Sequence, residues 1–233
     1  MKKAVILSGG LGTRLKPFTN VIPKPLMPIG EKAILEIQIE KLSKFGFNDI
    51  TLACNYKSEY IENFFGDGSR YDVDLHFSKE KEPLGTAGPL KLLEDKLTEP
   101  FIVMNGDIIT LMDFDKLYNF SLEREALLTI VIKKIITPYS FGNIFFDGDI
   151  VTNLQEKPDI ITYAMAGIYT VHPKILDLIP PDTYFGMDKL IKLMLEKNMQ
   201  VYKYEIDDYW LDIGRTDDFE KAGREYTEIE KGQ

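Results

Sequence analysis

Between Ala4 and Pro28 the chain reads AVILSGGLGTRLKPFTNVIPKPLMP, and no other stretch limits the fold as much. The apolar run Ala4-Val5-Ile6-Leu7 reads as a short buried strand. It stops at Ser8-Gly9-Gly10-Leu11-Gly12, where glycines leave the backbone free to take positive φ and to approach a ligand closely. Thr13 and Arg14 follow, and Lys24 sits between Pro23 and Pro25. A strand emptying into a glycine-rich loop with two cations nearby suits a polyphosphate. Backbone N–H groups point at the phosphate oxygens while the cations neutralise their charge. A simple tight turn is the plain alternative for the glycines alone. Leu15 stands where a dinucleotide fingerprint needs its third glycine, so a Rossmann oxidoreductase is disfavoured. No Gly-Lys-Ser/Thr closes the loop as a Walker A motif would require.

The chain has 233 residues, enough for one sizeable core. With 44% hydrophobic and 28% charged residues it reads as an ordinary soluble globular protein. A net charge of −9 argues against nucleic acid or an anionic membrane as partner. An acidic chain that handles nucleotides needs local cations and a divalent metal. The single cysteine, Cys54, excludes an intramolecular disulfide and a multi-cysteine zinc site, and it follows an apolar run that marks it as a buried structural thiol. Met1-Lys2-Lys3 and the short strand make no signal peptide or membrane span, so a cytoplasmic location is expected.

Helical spacing over 33–45, 58–65, 90–97 and 189–196 alternates with strand-like runs over 48–53, 73–78 and 100–104. This pattern predicts an α/β layered domain with a mainly parallel sheet. The later half is richer in strands, at 127–134, 166–171 and 200–205. The runs 143–146 and 150–154 flank Asp147-Gly148, a hairpin turn signal. A polar helix closes the chain from Thr216 to about Ile229. No repeats or linkers interrupt it, so one domain is expected over 1–233, with 1–110 the nucleotide-binding part and 111–233 the sugar-phosphate-binding part.

Ligands of parallel sheets sit beyond the carboxyl ends of the strands, where Gly9–Gly12 and Asp107 both fall. On local sequence Asp107, after Asn105-Gly106, is a turn former or a metal ligand. Asp212 in Trp210-Leu211-Asp212-Ile213-Gly214 has the same ambiguity, and Glu156-Lys157-Pro158 read alone is a surface loop.

The string SGGLGTRLKPFT…PKPLMP resembles the signature of the sugar-1-phosphate nucleotidylyltransferases, and the resemblance runs from Lys3 to about Lys221. It implies a Rossmann-like (GT-A-like) nucleotidyltransferase fold with a mixed, mainly parallel central sheet flanked by helices. It also implies that Leu7, Gly9, Gly10, Gly12, Thr13, Gly85 and Thr86 bind the nucleotide, with Gly85 packed against the base. In the family an Asp in a GD motif and another in W-x-D-x-G hold Mg²⁺, which here gives Asp107 and Asp212. Two carboxylates with phosphate oxygens and water suit that ion. The family's E-K-P motif places Lys157 on the sugar phosphate and Glu156 on sugar hydroxyls, and Gly142 resembles a backbone contact to the sugar. The implied reaction is in-line attack of a sugar 1-phosphate on the α-phosphorus of an NTP, releasing pyrophosphate. Arg14 would neutralise the departing pyrophosphate and Lys24 the pentacoordinate phosphorus. Such chemistry needs positioning and charge stabilisation rather than a nucleophilic side chain.

Glu80 bears on the base. Family members using uridine or thymidine triphosphates carry Gln there, whereas a carboxylate only accepts hydrogen bonds. It can take two from guanine N1–H and N2–H₂, which favours GTP; cytosine, through N4–H₂, is the competitor. The bland alternative is a solvated charge at a strand end. EPLGTAGPL and YWLDIGR look like the mannose-1-phosphate guanylyltransferases. Met165, however, stands where many family members place a sugar-contacting Asn, which opens heptose, glucosamine or another hexose. The chain also ends too soon for the β-helix domain that many mannose-1-phosphate enzymes carry. The other class to weigh is a catalytically silent nucleotide-sugar sensor, against which the joint presence of Arg14, Lys24, Asp107, Lys157 and Asp212 argues. Exposed apolar strands in the second half would suit a homodimer.

Overall fold

The computed structural model describes residues 1–10, 12–55 and 57–231; Leu11, inside the glycine loop, lies outside the described residues. In chain order come β1 (Lys2–Leu7), α1 (Phe18–Val21), β2 (Pro28–Ile29), β3 (Lys32–Ala33), α2 (Ile34–Lys44) and β4 (Phe47–Cys54). Next are α3 (Ser58–Phe65), β5 (Asp74–Lys79), α4 (Gly88–Lys91), β6 (Phe101–Asn105), β7 (Ile108–Thr110) and α5 (Phe114–Glu123). The second half holds β8 (Leu128–Pro138), β9 (Asn143–Asp147), β10 (Ile150–Gln155), β11 (Asp159–Val171), α6 (Met187–Glu196), β12 (Tyr202–Ile206), β13 (Trp210–Asp212) and α7 (Thr216–Lys231).

Seven strands form one sheet in the order β12-β8-β11-β6-β1-β4-β5, which runs through both halves of the chain. β1, β4, β5 and β6 are mutually parallel, as are β8 and β12, while β11 runs antiparallel to β6 and β8. The mainly parallel sheet expected from the strand–helix alternation, and the mixed one that the resemblance implies, is therefore the one observed.

The sheet is the middle of three layers, because side chains on a strand alternate between its faces. Ala4 and Ile6 of β1, with Ile102 and Met104 of β6, face one core that takes Leu35 and Ile39 of α2, Ile61 of α3 and Phe114 of α5. Val5, Phe101 and Val103 face the opposite core with Leu90 of α4 and Met187, Leu190 and Met194 of α6. Burial on both faces explains why the central strands read as continuous apolar runs. Cys54 ends β4 fully buried, and burial pushes its thiol up to about 12, so it is the structural thiol expected.

The structure departs from the sequence reading in three places. The helix expected over 90–97 is a single turn, α4, followed by i→i+3 turns such as Leu93 N–H to Leu90 O and Lys96 N–H to Leu93 O. Those turns still bury Leu90, Leu93 and Leu97, which supplied the helical spacing. Helix α5 was not foreseen, although Asp113 caps it by accepting from Lys116 N–H at 3.0 Å and Phe114, Leu117 and Tyr118 give it a buried face. Strands β8 and β11 run on past the core as an antiparallel ribbon, joining Ile132–Pro138 to Asp159–Met165. At its far end β9 and β10 pair as the expected hairpin around Asp147-Gly148. Large apolar side chains such as Phe146 and Ile150 are exposed there. No helix among the described residues is long and apolar enough to cross a membrane.

Phe47 is fully buried edge-on to Phe114 (6.4 Å) and Tyr118 (5.5 Å), pinning α5 to the sheet. Phe47→Ala is expected to destabilise the fold by about 3–5 kcal/mol, measured as a lower urea midpoint at unchanged m-value.

Candidate active site

Parallel neighbours release their following loops on the same side, so the ends of β1, β4, β5 and β6 build one crevice. Ser8 N–H bonds Ala53 O at 2.7 Å, and Gly106 N–H bonds Leu7 O at 2.9 Å, drawing the three central loops together. A Cβ on Gly106 would stand 2.8 Å from Leu7 O, so the glycine before Asp107 is required by the close approach of β1. The crevice holds a cavity of about 410 Å³. Leu7, Gly9, Gly10, Gly12, Thr13, Arg14, Lys24, Glu80, Gly85, Thr86 and Asp107, all expected from the sequence, line it. Among the described residues of the loop only Gly12 uses positive φ (+59°); Thr19 Oγ1 donates to its carbonyl at 2.8 Å, closing the turn before Arg14.

The charged groups converge at one end. Lys24 Nζ lies 2.5 Å from Asp107 Oδ2, and Asp107 Oδ1 is buried with no hydrogen-bond partner among the described residues. Strand β13 pairs antiparallel with β7 so that Asp212 lies opposite Ile108, one residue from Asp107. Burial, and then the Asp107 charge, push the Asp212 carboxyl above its ordinary range, against the opposing pull of Lys24 and Arg14. Arg14 reaches the same place: a Cβ on Gly214 would be 3.5 Å from both Arg14 Nη1 and Asp212 Oδ1. Beneath them lies a separate small core of Leu15, Met27, Ile34, Ile37, Ile109, Leu211 and Ile213. Its members stand beside Arg14, near Lys24 and Asp107, and on both sides of Asp212, so apolar packing fixes where the charges meet. Two carboxylates and an unpartnered buried oxygen fit a hard divalent cation. No larger His, Cys, Asp or Glu cluster occurs among the described residues.

Glu80 follows β5 at the opposite end of the cavity. Leu84 N–H donates to its Oε2 at 2.8 Å, and its Oε1 packs against Gly9. Burial pushes its carboxyl upward, opposed by the Leu84 bond, so Glu80 is a half-buried wall of the cavity and not a solvated strand-end charge. Gly85 also lines the cavity, and its φ of +82° and the 2.8 Å that would separate a Cβ from Phe185 O show that the backbone of the 183–186 loop by itself demands a glycine there. Thr86 Oγ1 accepts from Met187 N–H at 2.8 Å and thereby caps α6.

The expected sugar-side residues are not in the cavity lining. Gly142 and Glu156 are neighbours on the exposed hairpin, where a Gly142 Cβ would be 3.3 Å from Glu156 Oε2. Lys157 turns into β11 at φ +46°, and exposed Met165 sits opposite Ile132 at the root of the ribbon. Sequence reading missed Asn55, Asn105 and Tyr184, which do line the cavity. Asn55 Nδ2 and Asn105 Oδ1 are buried without partners among the described residues. Their position at the ends of β4 and β6, level with Ser8 after β1, is the signal that could have found them.

Comparison with known proteins agrees with this geometry. The Nucleotidyl transferase family model matches residues 3–229. The mannose-1-phosphate guanyltransferase of Saccharomyces cerevisiae is 37% identical over 226 residues, 93% of this chain and 62% of that protein. The mannose-1-phosphate guanylyltransferase catalytic subunit beta of Danio rerio is likewise 37% identical over 225 residues with the same coverage. The chain thus spans 62% of the length of these curated relatives. Among solved structures, HddC from Yersinia pseudotuberculosis superposes with a TM-score of 0.74 at 30% identity, covering 97% of this chain and 100% of that one. HddC has also been solved in complex with GMP-PN. The glycine loop, the converging charges and these likenesses together assign the chain to the nucleotidyl transferase family.

Proposed function

We propose that this protein is a Mg²⁺-dependent guanylyltransferase that joins GTP to a sugar 1-phosphate, giving a GDP-sugar and pyrophosphate. One observation carries the reading: Arg14, Lys24, Asp107 and Asp212 converge at the mouth of the glycine loop. The relatives named as mannose-1-phosphate guanyltransferases, and the GMP-PN bound by HddC, support guanine as the base. Met165 leaves the sugar open between mannose and a heptose or another hexose. The exposed apolar ribbons suit a homodimer.

In this reading backbone N–H groups of the glycine loop hold the triphosphate, and Arg14 neutralises the departing pyrophosphate. A phosphate oxygen of the sugar 1-phosphate bonds to the α-phosphorus as the bond from that phosphorus to pyrophosphate breaks. Lys24, held in place by Asp107, balances the charge gathering on the equatorial oxygens. Asp107 and Asp212 hold Mg²⁺, which when bound supplies charge neutralisation on the phosphate oxygens. Glu80 accepts from the guanine N1–H and N2–H₂ edge, and on the hairpin side Lys157 takes the phosphate of the sugar 1-phosphate while Glu156 accepts from sugar hydroxyls.

Pyrophosphate release should appear with Mg²⁺ and GTP when the four common NTPs are crossed with mannose-, glucose-, glucosamine- and heptose-1-phosphates. Binding without turnover across the grid would instead identify a nucleotide-sugar sensor. Asp107→Asn should lower kcat by at least about 10²–10³-fold with the fold intact by circular dichroism. Normal turnover in that variant would remove Asp107 from the metal. Glu80→Gln should cut the preference for GTP over UTP by roughly 10–100-fold, since the amide loses one acceptor toward guanine and gains a donor toward uracil. Unchanged selectivity would show that Glu80 does not read the base.

A further inference from the structure

Gln38 is a polar side chain in the middle of the apolar face of α2, only 2% exposed, and nothing in the reaction above uses it. Its Nε2 donates to Asn105 O at 2.9 Å and to Ile108 O at 2.7 Å. These two carbonyls bracket Gly106-Asp107. The turn between β6 and β7 is thereby clamped at both ends by one amide. Inside the clamp Gly106 N–H bonds Leu7 O, and Asp107 O accepts from Ile213 N–H at 2.9 Å. Helix α2 is also the element on which the lysine segment rests, since Ile34 N–H bonds Met27 O at 3.0 Å and Ile34 packs with Met27. The same helix therefore sets the height of Lys24 on one side and of Asp107 on the other.

We propose that Gln38 is a positioning residue for the metal-binding carboxylate: through the two carbonyls it fixes the Asp107 turn, and with it the affinity for the divalent ion. This rests on the reading of Asp107 and Asp212 as the metal pair. An apolar residue at position 38 would satisfy the helix face equally well but take the amide's donors away from both carbonyls. The neutral side-chain amide gives one hydrogen to each carbonyl without burying a charge, and its remaining oxygen has no partner among the described residues. Groups that orient a metal ligand typically govern affinity or activity by on the order of 10–100-fold when lost.

The test compares the wild type with Gln38→Glu, Gln38→Leu and Asp107→Asn. Mn²⁺ binding is followed by loss of the free-ion paramagnetic resonance signal, and kcat and KM for GTP are measured across a Mg²⁺ series. Gln38→Glu is the near-isosteric variant that keeps the volume and loses both donors as a carboxylate, or one if protonated, so it remains informative if Gln38→Leu unfolds. Both Gln38 variants are expected to weaken Mn²⁺ binding roughly 10–100-fold, with kcat falling, KM for GTP little changed, and activity partly recovered at high Mg²⁺. A lower melting temperature with unchanged Mn²⁺ affinity in Gln38→Glu would overturn the proposal and leave Gln38 a purely structural residue. Wild-type Mn²⁺ binding that survives Asp107→Asn would overturn the metal-pair reading itself, and the proposal with it.

Discussion

Everything in this molecule answers to one electrostatic constraint: two carboxylates must be held close together, partly out of water, without driving each other apart. Asp107 and Asp212 come from segments more than a hundred residues apart and meet because β7 and β13 pair. Their mutual repulsion and burial are visible in the raised Asp212 carboxyl, and Lys24 and Arg14 oppose both. Coulomb energy between such charges reaches several kcal/mol in a partly buried setting, a large share of a domain's stability. The small core under the site is the counterweight: its apolar members flank Asp212 and Arg14 and underlie Lys24 and Asp107, so burial of apolar area holds the charges where repulsion alone would spread them.

That arrangement explains how the fold divides its labour. The central strands, buried on both faces, form a rigid floor whose register sets the strand ends level with one another. Only the loops after those ends vary in chemistry: glycines and a cation after β1, an asparagine after β4, a carboxylate after β5 and a second carboxylate after β6. The site is thus a row of strand ends, and it closes when β13 returns from the far end of the chain.

Much of this was legible in the sequence, because the sequence expresses local rules most clearly where they are strongest. The apolar runs of β1, β4 and β6 and the glycine loop stand out on their own, and the residues picked from them do line one cavity. What stayed hidden depended on distant contacts. Gly85 is a glycine because Phe185 O crosses it a hundred residues later, and Thr86 caps a helix that no local pattern ties to it. Asn55 and Asn105 carry no motif of their own and acquire meaning only once the strands are laid side by side. Helix α5 was overlooked although its Asp113 cap and its buried Phe114, Leu117 and Tyr118 are local signals. The residues expected on the sugar side sit on an exposed ribbon, so neither periodicity nor burial could rank them.

The ribbon formed by β8 and β11 has a root that ties it to the charged end of the site. Where its register shifts, between Met165 and Tyr169, the indole N–H of Trp210 donates to Ala166 O at 2.9 Å, and Gly167 lies so close to Asn105 that a Cβ there would be 2.7 Å from its amide nitrogen. Trp210 precedes Asp212 by two residues, and Asn105 precedes Asp107 by two. The arm is therefore a lever whose fulcrum rests on both carboxylate-bearing segments at once. A swing about that root would have to part the Trp210 bond or the Asn105 contact, each two residues from a carboxylate.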